Sequence, residues 1–264
     1  MKTEYVEGDR LFFYMPFLDE DEVTGILDGR FAAIGALDDP EEVPLGILVA
    51  QILPDYIRIR RVQVETPEVA SALLSVVFRL PNELKLPFMA FDPSEDELAY
   101  LMEAGFEETE SRYVYLEGWT EELAEGPDPA AMQGKRVVCV DRVPGNELVD
   151  YLLRAEKDRC FIFPEPVPDP RRFSAGSLVC LKGGKIAGVL LMEEPEDIIQ
   201  VSFLCAAGPE ERDTLFIGMR ELLFQEFGPG KRLRFLLDGG LQDRAFCERL
   251  PEGKKRAVRI LKRG

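Results

Sequence analysis

The 264-residue chain carries 32 Lys and Arg against 49 Asp and Glu, a formal charge of −17, and contains no His. The length predicts one large or two small domains, and 46% hydrophobic residues suffice to form their cores. The absence of His excludes Ser–His–Asp and Cys–His nucleophile systems and every metal site that depends on imidazole. The negative charge argues against a nucleic-acid partner, because polyphosphate backbones would be repelled.

The cysteine spacing bears on metal and redox sites, and the apolar patterning bears on where the protein is located. The five Cys form no CxxC pair, so we predict neither a zinc site nor a thiol-exchange motif, and no metal at all. The first residues lack a basic region followed by an apolar core, and no stretch approaches about 18 uninterrupted apolar residues. We therefore expect no signal peptide, no membrane span and a cytoplasmic location.

An internal repeat organises the chain. A shift of 142 residues, read without a gap from Val43 to Leu74, places Gly46 on Gly188 and Pro67 on Pro209. In both copies Pro stands at the first position of a predicted helix, where its missing N–H costs nothing. In chain order the first copy predicts a weak helix over 19–27, strands over 31–37, 44–52 and 56–65, a helix from 67, a strand over 86–91, a helix over 95–104 and a strand over 112–116.

The second copy repeats this order after a boundary. Gly126-Pro127-Asp128-Pro129 breaks regular structure, so we expect domains over 1–118 and 135–264, joined by a linker over 119–134. The second copy predicts a strand over 135–140, a helix over 146–157, a proline-rich loop over 161–170, strands over 185–193 and 198–206, a helix over 209–227, a strand over 233–237, a helix over 241–250 and a strand over 257–261.

The order of elements resembles the GNAT acyltransferase superfamily. In the first copy a helix ends in Gly105-Phe106 and is followed by an alternating strand, Arg112-Tyr113-Val114-Tyr115-Leu116-Glu117. The resemblance covers nearly the whole chain, twice. It implies a mixed α/β (α+β) fold of two tandem domains, each a mostly antiparallel sheet flanked by helices and splayed between its fourth and fifth strands. It also implies acetyl-CoA in that opening and a small-molecule amine acceptor.

The phosphate-binding motif of this family is degenerate here. In the family the pyrophosphate rests on amides at the start of the helix after the fourth strand, in a [Gln/Arg]-x-x-Gly-x-[Gly/Ala] loop, because helix N-termini attract anions and Gly permits close approach. The first copy offers only Thr66-Pro67-Glu68, in a loop about five residues shorter than the resemblance implies. In the second copy Leu215 and Ile217 replace the glycines. The cofactor-binding residues that the resemblance implies there are Leu204, Ala206, Arg212, Asp213 and Thr214.

Candidate catalytic residues follow from the same resemblance. Family members often place a Tyr four residues before the Gly of Gly-Phe as a general acid, and Leu101 and Cys247 stand at those positions. A general base requires a carboxylate near the acceptor amine. Glu65 closes the fourth strand of the first copy, and Glu193 ends the strand before it in the second. The candidates are Glu65, Glu193 and Cys247; the alternatives are ordinary surface carboxylates and a buried thiol.

The charge is unevenly distributed. Residues 231–264 contain eleven basic and four acidic residues, so this segment carries +7 and the remainder −24. The basic segment could reach the 3′-phosphate of CoA, bind an acidic partner, or pair with the acidic remainder across a domain interface, and we favour the last. Nucleic-acid binding is not expected, because the segment lacks the exposed aromatic residues that stack bases.

Two functional classes remain open from the sequence. The first is a CoA-dependent N-acyltransferase whose second copy holds the active site. The second is a catalytically silent tandem protein that binds a ligand or a protein partner. The resemblance implies that variable loops, such as residues 161–170, form the acceptor pocket.

Overall fold

The computed structural model describes residues 1–39, 42–53, 55–79, 85–126, 132–155, 176–194, 197–238 and 247–264. The chain forms two compact units. Unit 1 comprises Met1–Ser111 and Arg259–Gly264, and unit 2 comprises Arg112–Val258. The predicted proline-rich loop and most of the predicted helix over 241–250 lie outside the described residues.

Unit 1 is a seven-stranded sheet with helices on both faces. The strand order is β1-β2-β3-β4-β5-β14-β6, and every neighbouring pair is antiparallel except β4 and β5. Its elements are β1 (Lys2–Tyr5), α1 (Leu11–Tyr14), α2 (Glu20–Leu27), β2 (Ala32–Leu37), β3 (Pro44–Ile52), β4 (Ile57–Val64), α3 (Pro67–Val77), β5 (Phe88–Phe91), α4 (Glu95–Glu103), β6 (Glu107–Thr109) and β14 (Ile260–Arg263).

Unit 2 repeats the architecture. The strand order is β13-β7-β12-β11-β10-β9-β8, with β11 and β12 as the parallel pair. Its elements are β7 (Tyr113–Trp119), β8 (Lys135–Cys139), α5 (Gly145–Ala155), β9 (Leu178–Lys182), β10 (Lys185–Glu193), β11 (Ile198–Ala206), α6 (Pro209–Glu226), β12 (Arg232–Asp238) and β13 (Lys254–Ala257). The predicted fold class, two mixed and mostly antiparallel sheets flanked by helices, is confirmed.

The last strand of each repeat lies in the sheet of the other. β7, from the first repeat, lies between β12 and β13, whereas β14, from the second, lies between β5 and β6. The single closing strand expected over 257–261 is therefore wrong, because the chain leaves one sheet after Ala257 and enters the other at Ile260. For the same reason the units differ from the expected domains 1–118 and 135–264.

Local sequence signals account for the helix starts. Asp19 and Ser94 each accept a hydrogen bond from the N–H three residues ahead, and Glu22 and Glu97 bond back to the cap, which completes two capping boxes. α3 and α6 both begin with Pro at the first position, as predicted. Leu11–Tyr14 forms the helix α1, and the first strand, Lys2–Tyr5, lies before it in the chain.

Each sheet buries both of its faces. In unit 2 one face packs on α6 through residues such as Leu204, Leu215 and Phe235, and the other packs on α5 through Leu152 and Phe203. Gly188 allows α6 to approach closely, since a Cβ there would lie 2.9 Å from Cδ1 of Leu215. None of the described helices is long and apolar enough to span a membrane.

Candidate active site

A β-bulge marks the same point in both sheets. Arg60 on β4 and Ser202 on β11 have no opposite partner on the preceding strand. They lie 142 residues apart, the shift that relates the two repeats. The parallel pairing ends just before each bulge, at Ile59 and Val201. Beyond the bulge β4 has no further register partners on β5, and β11 has none on β12. Each sheet therefore opens at this point.

The bulge of unit 2 carries a connected polar cluster. Oε1 of Glu193 accepts hydrogen bonds from Nε2 of Gln200 at 2.5 Å and from Oγ of Ser202 at 2.7 Å. Nε2 of Gln200 also lies 2.9 Å from Oγ of Ser202. Gln200 and Ser202 are buried, and Glu193 is half-buried. A buried polar cluster is stable only when its members bond one another, so the three side chains hold a carboxylate in place where the sheet opens.

The three side chains of the cluster face α5. On β11 the neighbours Ile199 and Val201 belong to the core on the α6 side. Because side chains alternate along a strand, Gln200 projects to the opposite face. The carboxylate of Glu193 thus lies on the side of the sheet that α5 covers.

The start of α6 is occupied by its own acidic residues. The connection from β11 is only residues 207–208. Oε1 of Glu211 lies 2.7 Å from Nζ of Lys182, and the Glu211 side chain is 6% exposed. The Lys182 hydrogen bond, opposed by burial and assisted by the backbone N–H of Glu211, lowers the pKa of this carboxyl. Nζ of Lys135 lies 2.9 Å from Oε2 of Glu210. Two carboxylates, each paired with a lysine, therefore surround the helix N-terminus.

Comparison with solved structures identifies this architecture. A tandem GNAT protein from the clavulanic acid biosynthesis pathway has a TM-score of 0.62 and 13% identity, over 99% of this chain and 98% of that one. A GCN5-related N-acetyltransferase from Kribbella flavida has a TM-score of 0.59 and 13% identity, over 99% and 71%. L-PGS from Bacillus licheniformis has a TM-score of 0.51 and 11% identity, over 89% and 84%. The chain has a tandem GNAT fold. No protein-family model matches the sequence, and the search of curated proteins gives no match.

The acetyl-CoA that the resemblance implies would place its pyrophosphate at the start of a helix, and the described residues at both helix starts disfavour an anion. A pyrophosphate at the start of α6 would meet the carboxylates of Glu210 and Glu211, and like charges repel. At the start of α3, hydrogen bonds from its own backbone and from Thr66 lower the pKa of the Glu68 carboxyl. In both units a carboxylate of the chain itself therefore lies at the helix N-terminus, where it interacts favourably with the helix dipole.

The expected cofactor residues around α6 have other partners. Arg212 lies in the first turn of α6, not in a loop, and its Nε is 3.7 Å from Oδ1 of Asp213. Asp213 also pairs with Nη1 of Arg249 at 2.6 Å. Oγ1 of Thr214 donates to the carbonyl of Glu210 within the helix. These contacts give no support to phosphate binding by the three residues, whose role stays a prediction.

The remaining cofactor candidates lie on β11 beyond the bulge. Leu204 is fully buried in the core under α6, so only its backbone could meet a ligand. Ala206 lines a cavity of about 490 Å³ between α5, β10 and the end of β11, with Tyr151 and Lys185 among its neighbours. Leu215 and Ile217, expected at the two glycine positions, are buried within α6.

The three catalytic candidates lie in different surroundings. Glu193 belongs to the bulge cluster described above. Glu65 is exposed in the connection between β4 and α3, and its N–H donates to the carbonyl of Leu45. Burial raises the pKa of the Cys247 thiol, opposed by Lys255, so the thiol holds its proton. Of the three, only Glu193 is held among buried polar groups at a bulge.

The GNAT opening of unit 1 is closed by side chains of unit 1 itself. Nη2 of Arg60, at the bulge, lies 3.1 Å from Oδ2 of Asp21 on α2, and its guanidinium stacks on Phe31 at 4.2 Å. Oε1 of Glu97 on α4 accepts a hydrogen bond of 2.8 Å from the N–H of Val62, two residues beyond the bulge. The amide of the opened strand is therefore already bonded within the protein.

The closure by Glu97 was not predicted from the sequence. Ser94-x-x-Glu97 reads as a capping box, which accounts for Glu97 without any second partner. In unit 2 the equivalent position falls within residues 239–246, which lie outside the described residues. Among the described residues, no group of three or more His, Cys, Asp or Glu side chains could hold a metal ion.

Proposed function

We propose that the protein is an N-acyltransferase, and that unit 2 transfers an acyl group to an amine with Glu193 as general base. The observation that carries the proposal is the bulge cluster, which fixes a carboxylate at the point where the sheet opens. The corresponding positions of unit 1 are Gln51 and Arg60, which provide no carboxylate. The tandem GNAT fold is the framework in which such a carboxylate serves acyl transfer.

The chemistry requires an amine and an acyl thioester. The amine nitrogen attacks the acyl carbon, a C–N bond forms, and the C–S bond breaks. Glu193 accepts the proton that the nitrogen loses, and the departing thiolate takes a proton from solvent. Gln200 and Ser202 orient the carboxylate, since each donates to the same oxygen. A positioned base of this kind contributes about 10²- to 10⁴-fold to the rate.

The proposal is tested by following amine-dependent release of thiol from acetyl-CoA. We expect Glu193→Gln to lower kcat/KM by about 10²-fold or more, because the amide cannot accept the proton. Glu194→Gln is the matched control: Glu194 is the next residue, its side chain is 40% exposed, and it pairs with Lys231. It should retain activity within about 2-fold. Equal activity of both variants would remove Glu193 from the mechanism.

The second candidate is a tandem protein that binds a ligand without acyl transfer. Two observations favour it. The carboxylates at the start of α6 weigh against a bound pyrophosphate, and Glu97 already occupies the Val62 amide in the opening of unit 1. A ligand that binds the folded state raises Tm by mass action. If millimolar acetyl-CoA leaves Tm unchanged and no amine releases thiol, the second candidate replaces the first.

A further inference from the structure

The polar residues of unit 2 continue from the bulge cluster onto the next two strands. Gln200 pairs in register with Arg234 on β12, and Arg234 pairs with Glu117 on β7. Register partners on neighbouring strands project to the same face of a sheet. Arg234 therefore lies on the face that carries Glu193, two strands away, which is about 10 Å between the main chains.

Arg234 is held from two sides. Its Nε and Nη2 atoms each lie 2.9 Å from Oε1 of Glu117, and its guanidinium carbon lies 5.0 Å from the centre of the Tyr115 ring. The side chain is 20% exposed. A guanidinium that is already oriented loses little freedom when it binds a ligand, and it has five N–H donors, whereas the Glu117 contact involves only Nε and Nη2.

The fold does not require a cation at this position. The residue of unit 1 with the same place in the sheet is Met89, which pairs with Arg58 on one side and Lys262 on the other. The sheet of unit 1 forms with Met89 at this position, so folding of the repeat does not require the Arg234–Glu117 pair. The pair is instead a property of the unit that contains the Glu193 carboxylate.

The surroundings of Arg234 favour an anion. Nη2 of Arg232 lies 3.8 Å from Oε2 of Glu117, and the Arg256 guanidinium lies 5.0 Å from the same Tyr115 ring. Lys254 pairs in register with Glu117. On a chain of net charge −17 these side chains concentrate positive charge on one part of a sheet face, where they attract an anionic group.

We propose that Arg234 binds an anionic group of the acceptor, and that the acceptor is an amine that also carries a carboxylate, as an amino acid does. Glu117, supplied by the exchanged strand β7, is the residue that positions Arg234. The inference rests on the proposed function in one respect, namely that Glu193 marks the place of the amine.

The test uses pairs of amines that differ by one carboxylate. L-phenylalanine is compared with phenethylamine, and L-lysine with cadaverine, with the full-length protein and acetyl-CoA as donor. We expect kcat/KM to be about 10-fold or more higher for each amino acid, the value of one hydrogen bond to a charged group. Arg234→Gln should remove this preference by raising KM for the amino acid.

Matched variants separate recognition from structure. Arg142→Gln changes a guanidinium of unit 2 that is 76% exposed and pairs with Asp141, and it should keep the preference. Glu117→Asp should keep more of it than Glu117→Gln, because a carboxylate still orients Arg234. If Arg234→Gln fails to fold by circular dichroism, Arg234→Lys takes its place: it keeps the charge, loses the planar fork and should lose most of the preference.

The outcomes distinguish this inference from the proposed function. If no amine is acylated, but L-phenylalanine raises the Tm of the wild type and not of Arg234→Gln, the anion site stands and the proposed function falls. If transfer occurs with equal kcat/KM for both members of each pair, the inference is overturned and the function stands. A preference that survives in folded Arg234→Gln also overturns it.

Discussion

At the scale of single residues, the Glu211 carboxylate disfavours the binding of an anion at the start of α6. Its carboxylate, which is 6% exposed, bonds to Lys182, and this hydrogen bond lowers its pKa from the usual 4.5. A carboxyl whose folded pKa lies below its unfolded pKa contributes stability that is present above the unfolded value. That contribution is lost as the pH falls through the folded pKa.

The Glu211–Lys182 pair therefore predicts a pH-dependent stability. Between pH 8 and 6 wild type should exceed Glu211→Gln by a constant free energy of unfolding, about 1 kcal/mol or less, because the Lys182 side chain is 58% exposed and solvent screens the pair. The difference should shrink below about pH 4.5. Urea titrations at several pH values measure it. Glu210→Gln, at a side chain that is 68% exposed, is the control. A difference that persists undiminished at pH 3 would contradict the assignment.

At the scale of elements, α4 closes the opening of unit 1 through Glu97. Its carboxylate bonds the helix start at Ser94 and the N–H of Val62 on β4. Removing it leaves a strand amide without its acceptor and removes half of a capping box.

We expect Glu97→Ala to lower the free energy of unfolding by about 1 to 3 kcal/mol. Glu95→Ala in the same helical turn, at a side chain that is 86% exposed, should cost less than about 0.5 kcal/mol. Chemical denaturation of both variants measures the difference. Similar losses for the two would show that Glu97 acts only as an ordinary first-turn acid.

At the scale of the whole molecule, the exchange of β7 and β14 agrees with their charges. Glu117 on β7 lies between Arg234 and Lys254, and Lys262 on β14 pairs in register with Glu107. With each strand in the sheet of its own repeat, Lys262 would lie beside two cations and Glu117 beside Glu107. Like charges directly opposite destabilise a sheet, so the observed exchange is the favoured pairing.

The exchange predicts which sheet depends on the C-terminus. Deleting residues 259–264 removes β14, so amide hydrogen exchange should accelerate in β5 and β6 of unit 1. β12 and β13 should keep the protection seen in the full chain, although β13 precedes the deletion directly in sequence. Faster exchange in β12 and β13 with β5 unchanged would contradict the strand order.

Much of the fold could be predicted because the repeat and the periodicities are local. The 142-residue shift and the Pro at each helix start gave the elements, and both bulges obey the same shift. The strand exchange could not be predicted, because β7 and β14 would satisfy the alternation in either sheet, and the charges of Glu117 and Lys262 matter only once their neighbours are known.

The candidate site was predicted in part for the same reason. Glu193 was a candidate as an acid at a strand end, whereas its bonds to Gln200 and Ser202 depend on the bulge. The lysines that neutralise the start of α6 lie on β8 and β9, far away in sequence, so their pairing with Glu210 and Glu211 required the structure.

The central claim is that unit 2, at Glu193, performs acyl transfer. The most direct measurement compares amine-dependent thiol release from acetyl-CoA by wild type, Glu193→Gln and Gln51→Ala, since Gln51 is the position of unit 1 that the 142-residue shift places on Glu193. We expect Glu193→Gln to lose about 10²-fold or more in kcat/KM and Gln51→Ala to stay within about 2-fold of wild type. Loss of activity in Gln51→Ala with Glu193→Gln unaffected would contradict it.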